Sequence, residues 1–387
     1  MLTKRVQSLS TSLTIAISTL AGELKASGKD VISFSAGEPD FGTPEVIKAE
    51  AKKALDDNHT RYTAVPGIPE LLEAIKNKLK RDNNLEYKSS QIIVSNGAKH
   101  SLFNLFQALI EEGDEVIIPS PYWVTYPELV IYSGGTSVYI ETTDKDHFKI
   151  TPEQLKAAIT PKTKMLILTT PSNPSGALYT KNELLALGEV LKGTDIFIAS
   201  DEMYEKLVYE GEFTAVGSVS DDMFKRTITI NGLSKSVAMT GWRFGYLASV
   251  NDELIAAMKK LQSQSTSNIN SITQYAAIVA LDGKADDDIE IMRKEFHKRR
   301  DLAVELFNQS DKLSVAKPDG AFYLFVNIQK VTNDSMEFCK KLLEEKGIAL
   351  VPGIGFGSEG YFRFSFATDE DSIREGIQRI KDFCQNY

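Results

Sequence analysis

Asp195-Ile-Phe-Ile-Ala-Ser-Asp201-Glu-Met-Tyr204 is a short apolar run that ends on a carboxylate. The next such run, Thr227-Ile-Thr-Ile230, leads through Asn231-Gly-Leu-Ser to Lys235. Runs this brief and this apolar read as strands buried on both faces, since a half-exposed strand would alternate apolar and polar residues. Working back along the chain, Lys164-Met-Leu-Ile-Leu168, Glu115-Val-Ile-Ile118 and Gln91-Ile-Ile-Val-Ser95 read the same way. Helical periods separate them, as in Ser101-Leu-Phe-Asn-Leu-Phe-Gln-Ala-Leu-Ile110 and Lys181-Asn-Glu-Leu-Leu-Ala-Leu187. Buried strands alternating with helices predict an α/β fold with a mostly parallel sheet and helices on both faces. Ligands of such sheets sit at the carboxyl ends of the strands.

After about residue 285 the texture changes. A charged helix over Asp286 to Phe307, the run Gly320-Ala-Phe-Tyr-Leu-Phe-Val326, a helix over Ser335–Lys346, a strand over Tyr361–Phe366 and a last helix from Asp369 predict a smaller α+β domain. At about 150 residues per domain, 387 residues imply two or three domains. With 44 basic and 53 acidic residues the net charge is −9, which argues against nucleic acid as the main partner. Cys339 and Cys384 are too few for a disulfide framework, and His59, His100, His147 and His297 show no metal-ligand spacing, so no metal site is expected. Lys4 and Arg5 before Leu13–Ala21 faintly resemble a signal peptide. Ser12, Thr14, Ser18 and Thr19 dilute the apolar stretch, and no small-x-small cleavage site follows. No apolar run reaches the ~20 residues of a membrane span. A soluble, cytoplasmic protein is expected.

The strand ends carry the chemistry. Asp201 caps a buried strand, although an aspartate there also serves as a plain helix cap. Thr169-Thr-Pro-Ser-Asn173-Pro174 ends another, although Asn-Pro is a common turn. Lys235 lies among small and apolar residues, where desolvation would lower its pKa toward nucleophilic use. Arg243, eight residues later, offers a bidentate fork for phosphate or carboxylate. Ser95-Asn-Gly97-Ala98-Lys99 runs from a strand straight into a helix, whose free backbone N–H groups make an anion site without the P-loop spacing. Trp123, one of two tryptophans, follows a further strand end, placed to stack on a flat ligand or simply to pack. Gly355-Phe-Gly357-Ser-Glu-Gly360 is a literal G-x-G-x-x-G, but it runs into the strand-like Tyr361-Phe-Arg-Phe-Ser-Phe366 rather than a helix, so it reads as a glycine-rich turn. A lysine, a carboxylate, an arginine, a stacking aromatic and an anion-binding helix start at one sheet edge fit pyridoxal phosphate.

With these motifs stand Ser35-Ala-Gly37-Glu-Pro-Asp-Phe41, Arg61-Tyr62-Thr-Ala-Val-Pro-Gly67, Asn173-Pro-Ser-Gly176, Met239-Thr-Gly-Trp-Arg243, Pro318-Asp-Gly-Ala-Phe-Tyr323 and Val351-Pro-Gly353 through Arg363. Together they resemble the class I and II aminotransferases of the aspartate aminotransferase family, in their bacterial Ib-like branch. The resemblance implies a fold type I pyridoxal-phosphate-dependent transferase. It joins residues 1–44 and 286–387 as the small domain around a large cofactor-binding domain over 45–285. It implies that Lys235 forms the Schiff base and moves the substrate proton, and that Asp201 pairs with the pyridinium nitrogen. Asn173 and Tyr204 would bond the ring's phenolic oxygen, and Trp123 would stack on the ring. The amides of Ala98 and Lys99, with Arg243, would bind the phosphate. Tyr62 would reach it from the second subunit of a homodimer. Arg363, helped by Gly37, would grip the substrate α-carboxylate, with Trp123 and Asn173 close to the substrate.

Two departures bear on this. Many relatives carry a phosphate-binding serine three residues before the lysine, where this chain has Gly232. The arginine that better-known relatives lend across the dimer for a distal carboxylate has no evident counterpart, whereas Lys99 matches the lysine the Ib-like branch uses. A lysine that favours prephenate in bifunctional relatives aligns with Ser10. The implied reaction is ping-pong transfer of an amino group from an L-amino acid, first L-aspartate, to 2-oxoglutarate. The alternatives on the same fold are an aromatic or alanine aminotransferase, or a carbon–sulfur β-lyase.

Overall fold

A computed structural model of the chain describes residues 2–11 and 13–387. Ser12, which entered the reading of the leader-like stretch, lies outside the described residues. The strands are β1 (Ile32–Ser33), β2 (Ile92–Asn96), β3 (Glu115–Ser120), β4 (Thr136–Glu141), β5 (Thr163–Thr169), β6 (Phe197–Asp201), β7 (Thr227–Gly232), β8 (Phe244–Ala248), β9 (Ser314–Val315), β10 (Tyr323–Asn327), β11 (Ile348–Ala349), β12 (Val351–Pro352) and β13 (Tyr361–Ser365). Seven of them form one sheet in the order β2-β8-β7-β6-β5-β3-β4. Every pairing is parallel except the two that β8 makes with β2 and β7. All five strands expected of the large domain are present. They are buried because helices cover the sheet and leave no face for polar side chains.

Two strands of this sheet were not anticipated. β4 lies at one edge of the sheet and is only partly buried, so its residues lack the dense apolar signal. β8 runs against its neighbours, which brings its amino end, with Arg243 just before it, to the edge where the parallel strands finish. A single reversed strand thus delivers an arginine to the carboxyl-end side of the sheet.

The C-terminal elements form a second sheet, β12-β13-β10-β9, with antiparallel pairs. β1, from the start of the chain, pairs in parallel with β11. Phe34, just after β1, stacks on Phe364 of β13 at 4.2 Å, so the two chain ends share one packing surface. The long helix Asp286–Asn308 opens with Asp286, Asp287 and Asp288, which favour the positive end of its dipole. One apolar core runs from Ile118, Ile167 and Ile230 of the large sheet to Phe322 and Phe362 of the smaller one. The G-x-G-x-x-G stretch is a turn, as expected: a 3₁₀ segment Gly353–Phe356, then Gly357 and Gly360 at positive φ, then β13. Among the described residues no helix is long and apolar enough to cross a membrane.

Candidate active site

The carboxyl ends of β2, β3, β5, β6 and β7 open onto a cleft of about 300 Å³. From β6 comes Asp201, and from the turn beyond it Met203 and Tyr204. Past β7 come Ser234 and Lys235, and β5 is followed by Asn173. Beyond β3 lies Trp123, and β2 leads into the helix Ala98–Leu109, whose first residues Ala98 and Lys99 also line the cleft. Gly37, Tyr323 and Arg363 close it from the smaller body. A shallower trough of about 800 Å³ lies at the amino end of β6, near Asp195 and Phe197, and gathers none of these residues.

Burial and then the nearby Arg363 charge push Lys235 down to about 8 from the ordinary 10.5, while Glu38 and Asp201 pull the other way. Its Nζ donates to the Gly37 carbonyl. Near pH 8 a large fraction of this amine is therefore neutral and nucleophilic. Asp201 is only 5% exposed. Burial raises its pKa. The Tyr126 hydroxyl donating to Oδ2 at 2.7 Å, the Met203 amide donating to Oδ1 and the Lys235 charge oppose that rise. Nothing in the sequence separates Tyr126 from an ordinary core tyrosine. It lies in the first turn of the helix Thr125–Ser133, three residues past Trp123, and its hydroxyl also meets Thr169 at 2.7 Å.

Arg363 on β13 is 2% exposed. Nη1 donates to Asn173 Oδ1 at 3.1 Å and Nη2 to the Ser35 carbonyl at 2.7 Å, while Nε has no partner. Its guanidinium carbon lies 4.4 Å from the Tyr323 ring centre and 5.2 Å from that of Phe356. Among the described residues no carboxylate pairs with it. A buried cation with neutral neighbours is costly unless an anion completes the site. Tyr204 and Tyr323 share a hydrogen bond of 3.0 Å beside it.

The anion cradle is equally specific. Gly97 has φ +81, and a Cβ there would lie 2.5 Å from Arg243 Nη2. Only glycine lets the guanidinium sit against the start of the helix Ala98–Leu109. The amides of Ala98 and Lys99 have no intrahelical acceptor, so helix start and arginine offer donors to one anion. Arg243 is held by Nη1 donating to the Thr240 carbonyl at 2.8 Å. Lys99 Nζ lies 4.9 Å above the Trp123 ring, and partial desolvation, with the like charge of Arg243, lowers its pKa. Gly232 has a packing reason: a Cβ there would meet the Phe244 carbonyl at 2.7 Å, so a serine would collide with β8. Ser234 lines the cleft instead.

These residues fit pyridoxal phosphate. A buried carboxylate suits a protonated ring nitrogen, a desolvated lysine suits a Schiff base, and the cradle of Gly97, the helix start and Arg243 suits a phosphate. Tyr62 is the one predicted site residue that the fold keeps out of its own cleft; it projects into solvent at 93% exposure. Ser10 also stays outside, its backbone N–H donating to Glu128 at 2.8 Å, and Thr14 and Ile15 reach the cleft in its place.

Residues 29–380 match the family model described as aminotransferase class I and II. The chain is 50% identical to the aspartate aminotransferase of Bacillus subtilis, over all of this chain and 99% of that one. It is 48% identical to the aspartate/prephenate aminotransferase of Cereibacter sphaeroides, over 96% of each chain. Among solved structures it superposes on the Thermus thermophilus aspartate aminotransferase with maleate at a TM-score of 0.95, with 41% identity and 99% of both chains covered.

Proposed function

The chain belongs to the class I and II aminotransferases, enzymes that depend on pyridoxal phosphate, and from that premise we propose that it transfers the amino group of L-aspartate to 2-oxoglutarate, giving oxaloacetate and L-glutamate. The observation that carries this reading is Arg363, a buried guanidinium with no carboxylate paired to it among the described residues, facing the same cleft as Lys235. An amino acid supplies the missing carboxylate, and its amine then lies near Nζ.

Pyridoxal phosphate supplies an electron sink and carries the amino group between the two half-reactions of a ping-pong cycle. The protein's own groups do the rest. Lys235 Nζ would hold the cofactor covalently until the substrate amine displaces it, and the freed amine would then take and return the proton at the substrate carbon. Asp201, steadied by Tyr126, keeps the ring nitrogen protonated. Asn173 and Tyr204 would bond the phenolic oxygen, Trp123 would stack on the ring, and Arg243 with the Ala98 and Lys99 amides would bind the phosphate. Arg363 orients the substrate, with Gly37 lending its backbone.

Lys99 is our candidate for the distal carboxylate, since it stands at the cleft beside Trp123. Tyr62 is proposed to complete the site of a second subunit, which its full exposure permits, making the working unit a homodimer. Residues 1–44 and 286–387 are proposed to act as a small domain beside 45–285, in a cytoplasmic enzyme. Half-reactions with a panel of amino acids test the specificity. Lys99→Ala is expected to lower kcat/KM for aspartate about tenfold more than for alanine, the worth of one charge-assisted contact. Equal losses for both would remove Lys99 from this role.

A further inference from the structure

The turn Asp201-Glu-Met-Tyr204-Glu205 has two faces. Asp201 and Tyr204, three residues apart, line the cleft. Glu202 and Glu205, also three apart, are engaged elsewhere. Glu202 is fully buried, and its Oε1 accepts from Ser200 Oγ at 2.8 Å and from the Val216 amide at 3.0 Å. Glu205 pairs with Lys78, and both side chains are more than nine-tenths buried. Its second oxygen accepts from Asn83 Nδ2 at 2.7 Å, and Lys78 Nζ also donates to Asn83 Oδ1 at 2.7 Å. The next residue, Lys206, meets Asp82 at 2.7 Å. The helix Pro69–Asn83 therefore grips the end of this turn through Lys78, Asp82 and Asn83.

A dry ion pair with both carboxylate oxygens hydrogen-bonded is a stiff link, whereas a solvated one is not. The link ends one peptide from Tyr204, and Glu202 and Glu205 are tied by a backbone bond from the Glu205 N–H to the Glu202 carbonyl at 3.1 Å. We propose that Glu205 is a positioning residue: held by Lys78 and Asn83, it fixes from behind the turn that presents Asp201 and Tyr204 to the cofactor. It touches neither cofactor nor substrate. The proposal rests on the cofactor-binding reading of Asp201 and Tyr204 above. It adds that their placement depends on a helix whose side chains never enter the cleft.

Glu205→Asp keeps the charge but shortens the link by one methylene, so the turn must draw back or the contact must open. Lys78→Arg keeps the charge but forces a longer, planar guanidinium into the buried site, so it disturbs the same link from the helix side. In the holoenzyme, each is expected to weaken binding of pyridoxal phosphate about tenfold and to shift the pH midpoint of the cofactor's visible absorbance. The same variants should lower kcat about tenfold while KM for aspartate stays within about twofold, because small displacements of catalytic groups act on rate. A lower melting temperature with cofactor affinity and absorbance midpoint unchanged in both variants would overturn the proposal and leave the pair a stability element. The wild-type protein separates the two ideas. If it fails to bind pyridoxal phosphate, the reading of the cleft is wrong; if it binds and the variants match it, only the positioning role is lost.

Discussion

The large sheet and the smaller body furnish the same cleft by opposite means. The sheet contributes residues that lie next to strand ends in the chain, so Asp201, Lys235, Asn173 and Ala98 arrive at one edge because parallel strands finish together. The smaller body contributes Gly37 and Arg363 from opposite ends of the chain, brought together by packing such as Phe34 on Phe364. Two of the sheet's groups are anchored internally, Asp201 by Tyr126 and Arg243 by Thr240, while the amides of Ala98 and Lys99 and the rest of the Arg243 fork stay open to an anion. Arg363 keeps an unpartnered Nε, and among the described residues no carboxylate forms an ion pair with it. A ligand held by the first set can stay resident, while a ligand that completes the second can come and go.

This contrast is open to attack, starting with the sheet. Lys235→Ala should lower turnover by at least about a thousandfold, the scale of losing a positioned acid–base group. It should also abolish the covalent cofactor absorbance, as steady-state and spectral assays would show. On the smaller body, Arg363→Lys should reduce kcat/KM about a hundredfold and equally for all amino acids, because the fork to the α-carboxylate is common to them. Cofactor affinity should barely change; a parallel loss of cofactor would erase the distinction between the two regions.

Tyr126→Phe should weaken pyridoxal phosphate binding about tenfold by removing one hydrogen bond to a buried carboxylate, and a cofactor titration reads it directly. The smallest effect concerns stability without cofactor. Lys235 has its folded pKa pushed down to about 8 from 10.5, so between those values the unfolded chain binds a proton that the folded chain does not. Stability therefore rises with pH across that window, and below pH 8 the full penalty is present. Cofactor-free Lys235→Met should melt about 2 °C higher than the parent at pH 7, with the gap closing toward pH 10.5. A gap that does not vary with pH would show that desolvation of the amine is not its cause.

Much of the sheet and its site was legible because each signal was local. Apolar runs marked β2, β3, β5, β6 and β7, and a candidate site residue follows each run within five positions. β4 escaped because it is only partly buried, and Tyr126 because a tyrosine aimed at a carboxylate has the same sequence context as one packed in a core. Gly232 was visible only as a departure. Its reason, the Phe244 carbonyl 2.7 Å from where a Cβ would stand, belongs to a strand pairing that no local pattern encodes.

From residue order alone came the α/β class, the carboxyl-end edge as the candidate place of chemistry, and Lys235, Asp201, Asn173 and Arg243 as its candidate residues. Buried strands and the turns that end them are short-range features written in consecutive residues. The tertiary structure decided what depends on distance: the burial that brings Lys235 to about 8, the burial of Arg363 with its Nε unpartnered, the glycine at 97 that admits Arg243, and the grip of Lys78 on Glu205 from behind. Desolvation and close approach are properties of what surrounds a group, and those surroundings come from segments far apart in the chain.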